Sequence, residues 1–113
     1  MEIKKISDGS ILTVQIIGRL DAVTALELDK NLSATLAGVT DLTIDLAGLE
    51  YISSAGLRTL LKLQKHMDRQ GSMRIKNIRD NVREVLDMTG FSDFLTIADD
   101  KKTMFSASSE VTL

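Results

Sequence analysis

The densest run of side chains able to do chemistry is Asp45-Leu46-Ala47-Gly48-Leu49-Glu50-Tyr51-Ile52-Ser53-Ser54-Ala55-Gly56-Leu57-Arg58. Its pattern leads from the end of a strand to the start of a helix, the place where α/β sheets usually put their sites. Ser54 falls at or near the N-cap of that helix. Serine is favoured there simply because its oxygen accepts a free backbone N–H. The same position also suits a phosphate acceptor. A phosphoserine carries about −1.5 to −2 charges near neutral pH, and the free N–H groups and dipole of a helix start stabilise such an anion. The residues alone leave both readings open. Gly56 removes a side chain beside the serine, which would let a partner approach closely.

Asp21 is the second candidate. Thr24-Ala25-Leu26-Glu27 has the spacing of a capping box, so Thr24 is expected to cap a helix and leave Asp21 spare. Asp21 would then share a patch with Ser54, or stand as a loop carboxylate facing water. Asp45, at a strand end, invites comparison with a phosphoacceptor aspartate. That role needs an acidic cluster after the first strand and a lysine after the last. The chain has Asp8-Gly9 and Ile97-Ala98-Asp99 there, so Asp45 is expected to order the loop that follows it.

Other chemistries lack their parts. A nucleophile elbow needs glycine two residues before the serine, where Ile52 stands. His66, the one histidine, lies about 18 Å from Ser54 along the same helix at 1.5 Å per residue. It is expected to be a solvated or partly packed helix residue. The glycines form no phosphate-cradling motif.

These side chains need a scaffold, and the period of the apolar residues supplies one. Ile3 to Ser7 is a short strand, Asp8-Gly9 a two-residue turn with both positions at positive φ, and Ile11 to Gly18 the returning strand. Residues 18–21 connect to a helix from about Ala25 to Ala37, with Leu28, Leu32 and Leu36 on one stripe and Gly38 ending it in the left-handed conformation. A strand over Asp41 to Leu46 and a loop over 47–53 precede a helix from about Ser54 to Gln70. Leu57, Leu60, Leu61, Leu63 and Met67 form its apolar face, and Gly71 closes it. Met73 to Ile78 is a strand. Asp80 caps a short helix carrying Val82, Val85 and Leu86 and ending at Gly90. Phe94 to Ile97 is a last strand, and Asp99 to about Ala107 a terminal helix. The order β-β-α-β-α-β-α-β-α implies an α/β fold: a mixed sheet that opens with an antiparallel hairpin, continues in parallel by right-handed crossovers and carries helices packed on it.

Composition narrows the function classes. The chain has 113 residues, 43% hydrophobic and 27% charged, which is ordinary for one globular domain. It has no cysteine, which excludes disulfides, thiolate metal sites and cysteine nucleophiles. One histidine leaves little for zinc or acid–base relays, and no metal site or cofactor is expected. The net charge of −2 gives no overall attraction to nucleic acid or anionic lipid. Apolar runs never exceed two residues, so no segment spans a bilayer. Met1-Glu2-Ile3-Lys4-Lys5 lacks the apolar block of a signal peptide. The expectation is a cytoplasmic protein without membrane insertion.

Asp45-Leu46 followed by Tyr51-Ile52-Ser53-Ser54-Ala55-Gly56-Leu57 resembles the signature of the STAS domain, shared by bacterial anti-sigma factor antagonists and the cytoplasmic part of sulfate transporters. Gly18-Arg19-Leu20-Asp21 with Thr24-Ala25 resembles its second block, and Thr89-Gly90-Phe91 with Phe94 and Ile97 its closing segment. The resemblance covers residues 1–106 and leaves 107–113 as a polar tail. It implies a non-enzymatic partner switch. The unmodified antagonist binds an anti-sigma factor that is also a serine kinase, phosphorylation releases it, and a serine phosphatase resets it. The matching serine is Ser54, with Ser53 as second candidate. The implied contact residues are Asp21, Ser53, Ser54, Ala55, Gly56 and Arg58. Two positions depart from the phosphorylated antagonists: Ser53 stands where aspartate is frequent, and Ala55 where serine or threonine is frequent. An alternative role follows from the same resemblance, a constitutive adaptor subunit of a transporter or lipid-transport ATPase.

Overall fold

In the computed structural model, which describes residues 1–98, an antiparallel hairpin opens the chain. It joins β1 (Glu2–Asp8) to β2 (Ile11–Leu20). Its turn is Gly9-Ser10, since Asp8 already pairs with Ile11. Only Gly9 of these takes positive φ, at 63°, so a single glycine satisfies the turn where Asp8-Gly9 was expected to supply two such residues. Then follow α1 (Ala22–Ser33), β3 (Asp41–Asp45), β4 (Leu49–Ile52), α2 (Ser54–Gln70), β5 (Ser72–Lys76), α3 (Asp80–Thr89), a 3-10 turn (Phe91–Asp93) and β6 (Ile97–Ala98).

The sheet runs β1-β2-β3-β5-β6, with every pairing after the hairpin parallel. This is the mixed α/β sheet expected from the sequence. Its strands alternate. Leu12, Val14 and Ile16 of β2, Leu42 and Ile44 of β3, and Met73 and Ile75 of β5 are buried, while Thr13, Gln15, Thr43 and Arg74 are not. One face therefore carries the core, and the helices close it with Ala25, Leu28, Leu32, Leu57, Leu60, Leu63, Met67, Val82 and Leu86. Burying a leucine in such a core contributes roughly 1.5–3 kcal/mol.

Several boundaries move from their sequence expectation for local reasons. The first helix stops at Ser33, not Ala37, with Ala34 as C-cap. Residues 34–39 turn instead, held from outside by Gln70, whose Nε2 donates to the carbonyls of Leu36 at 2.8 Å and Val39 at 2.6 Å. Gly38 does take positive φ, but in that turn and not at the helix end. Gly71 closes α2 because the backbone of Thr40 passes too near for any side chain: a Cβ there would lie 2.0 Å from the Thr40 oxygen. Asp80 opens α3 without capping it. Arg79 is the N-cap residue and makes no side-chain cap bond. The last strand is Ile97–Ala98, with Phe94 outside it and exposed. It is pinned by buried Gln64, whose Oε1 accepts from the N–H of Thr96 at 3.0 Å. The terminal helix expected after Asp99 and the polar tail over 107–113 lie outside the described residues.

Candidate functional site

One element missed in the sequence assembles the site. Residues 49–52 form β4, where a loop was expected, and β4 pairs in parallel with the last residues of β2. A bulge at Gly18, with φ 107°, shifts the register so that Arg19 faces Tyr51 and Leu20 faces Ile52. The Gly18 N–H donates to the Gly48 carbonyl at 2.9 Å, and the Arg19 guanidinium lies 4.2 Å above the Tyr51 ring. The N–H of Ser53 then donates to the Leu20 carbonyl at 2.9 Å. Both strands therefore end on one rung, and each hands its chain to a helix immediately afterwards. Asp21 starts α1 and Ser53 starts α2.

The expected capping of α1 by Thr24 is corrected here. Asp21 is the N-cap, in extended backbone, and Thr24 is its partner three residues on. Asp21 Oδ1 accepts from the N–H groups of Val23 and Thr24, each at 3.0 Å. The Asp21 N–H donates to Thr24 Oγ1 at 2.8 Å, and that hydroxyl donates to the Arg19 carbonyl at 2.8 Å. The reciprocal box is complete three residues earlier than the Thr24–Glu27 spacing suggested, because the chain enters the helix directly from the end of β2. The Thr24 N–H, ahead of the Thr24 hydroxyl, the Val23 N–H and the nearby Arg19 charge, holds the Asp21 carboxyl below its ordinary range. Asp21 is therefore a structural cap and not a spare carboxylate.

At α2 the cap is Ser53, not Ser54. Ser53 Oγ accepts from the Gly56 N–H at 3.2 Å, and the Ser53 carbonyl accepts from the Leu57 N–H at 2.9 Å. Ser54 is the first helical residue and is exposed. Its hydroxyl makes no hydrogen bond among the described residues. Ala55 is half-buried and Arg58 exposed. Gly56 has a different role from the one expected. It is buried, and a Cβ there would lie 2.9 Å from the Leu20 oxygen, 2.8 Å from Leu20 Cγ and 2.9 Å from Ile52 Cγ1. The missing side chain makes room for the protein's own β2 and β4.

Around this pair of caps the support is polar and local. Asp45 Oδ1 accepts from the Ala47 N–H at 3.0 Å and from Asn77 Nδ2 at 3.2 Å, as expected for a residue ordering its loop. Arg79 Nε donates to the Ala47 carbonyl and Asn81 Nδ2 to the Glu50 carbonyl, both at 2.8 Å. The start of α3 thus steadies the segment leading to Ser53. Neither residue stood out in the sequence, since their targets are backbone carbonyls more than thirty positions away. His66 is exposed on α2, and no cluster of metal-ligating side chains exists among the described residues.

The STAS domain family model matches residues 2–104. The chain belongs to the STAS family. It is 30% identical over 102 residues to BtrV of Bordetella bronchiseptica, which is named as a candidate anti-sigma factor antagonist; the match covers 88% of this chain and 87% of that one. It is 28% identical over 88 residues to the anti-sigma-B factor antagonist of Bacillus subtilis, covering 77% and 81%. Among solved structures, the anti-sigma factor antagonist SpoIIAA in its unphosphorylated form superposes with TM-score 0.74 at 15% identity, over 94% of this chain and 96% of that one. The phosphorylated form of that Bacillus protein gives 0.67 at 14% identity, over 94% and 99%. These two establish the shared fold. The relatives matched in sequence are named for a regulatory role. No helix among the described residues of this STAS chain is long and apolar enough to cross a membrane.

Proposed function

We propose that this STAS chain is an anti-sigma factor antagonist: a non-enzymatic switch that binds an anti-sigma factor with serine kinase activity and is released when that kinase phosphorylates Ser54. A serine phosphatase would restore the binding form. The observation that carries the reading is the exposed Ser54 at the first position of α2, beside the capped start of α1. Two relatives named for anti-sigma factor antagonism support the partner class. The existence of a phosphorylated form of SpoIIAA supports the modification.

The geometry favours Ser54 over Ser53. Ser53 Oγ is engaged with the Gly56 N–H, so modifying it disturbs the cap. Ser54 Oγ is exposed, and a phosphate there adds about −1.5 to −2 charges to a chain of formal charge −2, at a helix end whose dipole stabilises an anion. The fold tolerates the group while the contact face changes sharply. Asp21, Ser53, Ala55, Gly56 and Arg58 complete that face in this reading, Asp21 and Gly56 by shaping the two helix starts. The STAS domain takes residues 1–106, the site of action is the cytoplasm, and neither cofactor nor nucleic acid is needed.

Binding of the cognate kinase to wild type, Ser54→Ala and Ser54→Asp tests the proposal. Wild type and Ser54→Ala bind, and Ser54→Asp binds at least tenfold more weakly. Equal binding of all three removes Ser54 as the switch. Intact-mass measurement with fragment mapping, on protein from its own cells, is expected to find the phosphate on Ser54. A phosphate on Ser53 corrects the assignment.

A further inference from the structure

Arg58 stands four residues after Ser54 on α2 and is exposed. Side chains at that spacing are neighbours, about 5–6 Å apart at Cβ. Arg58 lies on the crest between two depressions. One runs between α1 and α2, past Leu26, Ala55 and Thr59. The other lies on the outer face of α2, past Lys65 and Arg69. Lys62 borders both depressions as well, but it is already committed: its Nζ is 2.9 Å from Asp29 Oδ2 on α1. Arg58 has no acidic partner and no hydrogen bond among the described residues.

We infer that Arg58 is the internal counter-ion of a phosphate on Ser54, so that phosphorylation withdraws a cation from the groove between α1 and α2 as well as adding an anion beside it. The inference rests on Ser54 being the regulated serine. Three features carry it. The order is favourable, since an anion placed N-terminal to a cation at this spacing also complements the helix dipole. The guanidinium fork matches phosphate oxygens in a bidentate pair, which an ammonium group does not. The nearest alternative cation on the same helix face, Lys62, would have to leave Asp29. In the unmodified chain the guanidinium remains available to an acidic group of a partner entering the groove. Once paired with phosphate it is not. Arg58 is thus a positioning residue for the switch. It acts on the modified serine and takes no part in transferring the phosphate.

The test uses the 113-residue chain with phosphoserine genetically encoded at position 54, followed by phosphorus NMR through the second ionisation of the phosphate, near pH 6. Arg58→Gln raises that ionisation by about 0.15–0.4 pH unit, the equivalent of a helical ion pair at this spacing. Lys62→Gln leaves it in place. Identical titrations for wild type and Arg58→Gln overturn the inference, and so does an equal shift in Lys62→Gln. Because the phosphate is installed without a kinase, this outcome is independent of whether Ser54 is phosphorylated in cells. Finding Ser54 unmodified there removes the switch but does not alter the titration.

Discussion

The two helix starts at the site sit on one rung of the sheet and are built differently. At α1, Asp21 and Thr24 exchange side-chain and backbone bonds, and Thr24 also reaches the Arg19 carbonyl. At α2, Ser53 provides one side-chain bond at 3.2 Å, and the next residue leaves its hydroxyl exposed. A charge-assisted, reciprocal cap fixes geometry. A single neutral cap holds the helix and leaves the neighbouring position open to modification. One start is therefore an anchor and the other an accessible surface, and their shared rung lets the first hold the second in place.

Gly56 is where this arrangement breaks most readily. Gly56→Ala puts a methyl group within 2.9 Å of the Leu20 carbonyl oxygen. It should destabilise the fold by about 1–3 kcal/mol, the usual effect of overpacking, as read from the midpoint of urea unfolding. It should also weaken partner binding by displacing the start of α2. Asp21→Ala comes next. It removes the acceptor of both the Val23 and Thr24 N–H groups and should lower the unfolding midpoint by more than Ser53→Ala does. Ser53→Ala loses one long bond and is expected at about 0.5–1 kcal/mol, the lower part of the capping range. If Ser53→Ala proves more damaging than Asp21→Ala, the assignment of anchor and surface is reversed.

Acid sharpens the same contrast. The Thr24 N–H holds the folded Asp21 carboxyl below its ordinary range, so its contribution to stability is present above the unfolded value and is lost as pH falls through the lower, folded one. Asp21→Asn should flatten the decline in unfolding midpoint between about pH 5 and pH 2, while Ser53→Ala leaves its slope unchanged. The smallest effect on stability belongs to Ser54→Ala, expected within about 0.5 kcal/mol as for an exposed side chain away from special features. Its effect on phosphate incorporation should be complete. A stability loss above that range would make Ser54 part of the cap.

Much of this was legible in the residues because it depends on short-range periodicity. The alternation in β2, the leucine stripe of α1 and the apolar face of α2 are fixed by side chains within a few positions of one another. So was the place of Ser54 at the head of a helix. The strand over 49–52 was not legible. Its burial pattern, Leu49 and Ile52 buried with Glu50 and Tyr51 exposed between them, does not alternate, and its partner lies some thirty positions earlier. The Asp21 cap was hidden for a related reason. Asp21 and Thr24 are both residue types that cap helices, the Thr24–Glu27 spacing matches the usual box better, and only the point where β2 ends puts the cap at Asp21.

By itself, then, the sequence determined the family, the order of most elements and a serine at a helix start, because local hydrophobic period and capping chemistry suffice for these. Tertiary structure alone decided which residue caps each helix, why Gly56 must be glycine, and that Asp21 and Ser54 belong to one surface. Those facts depend on the bulge at Gly18 and the pairing of Leu20 with Ile52. Such contacts form only when chain segments far apart in sequence bury their apolar faces together.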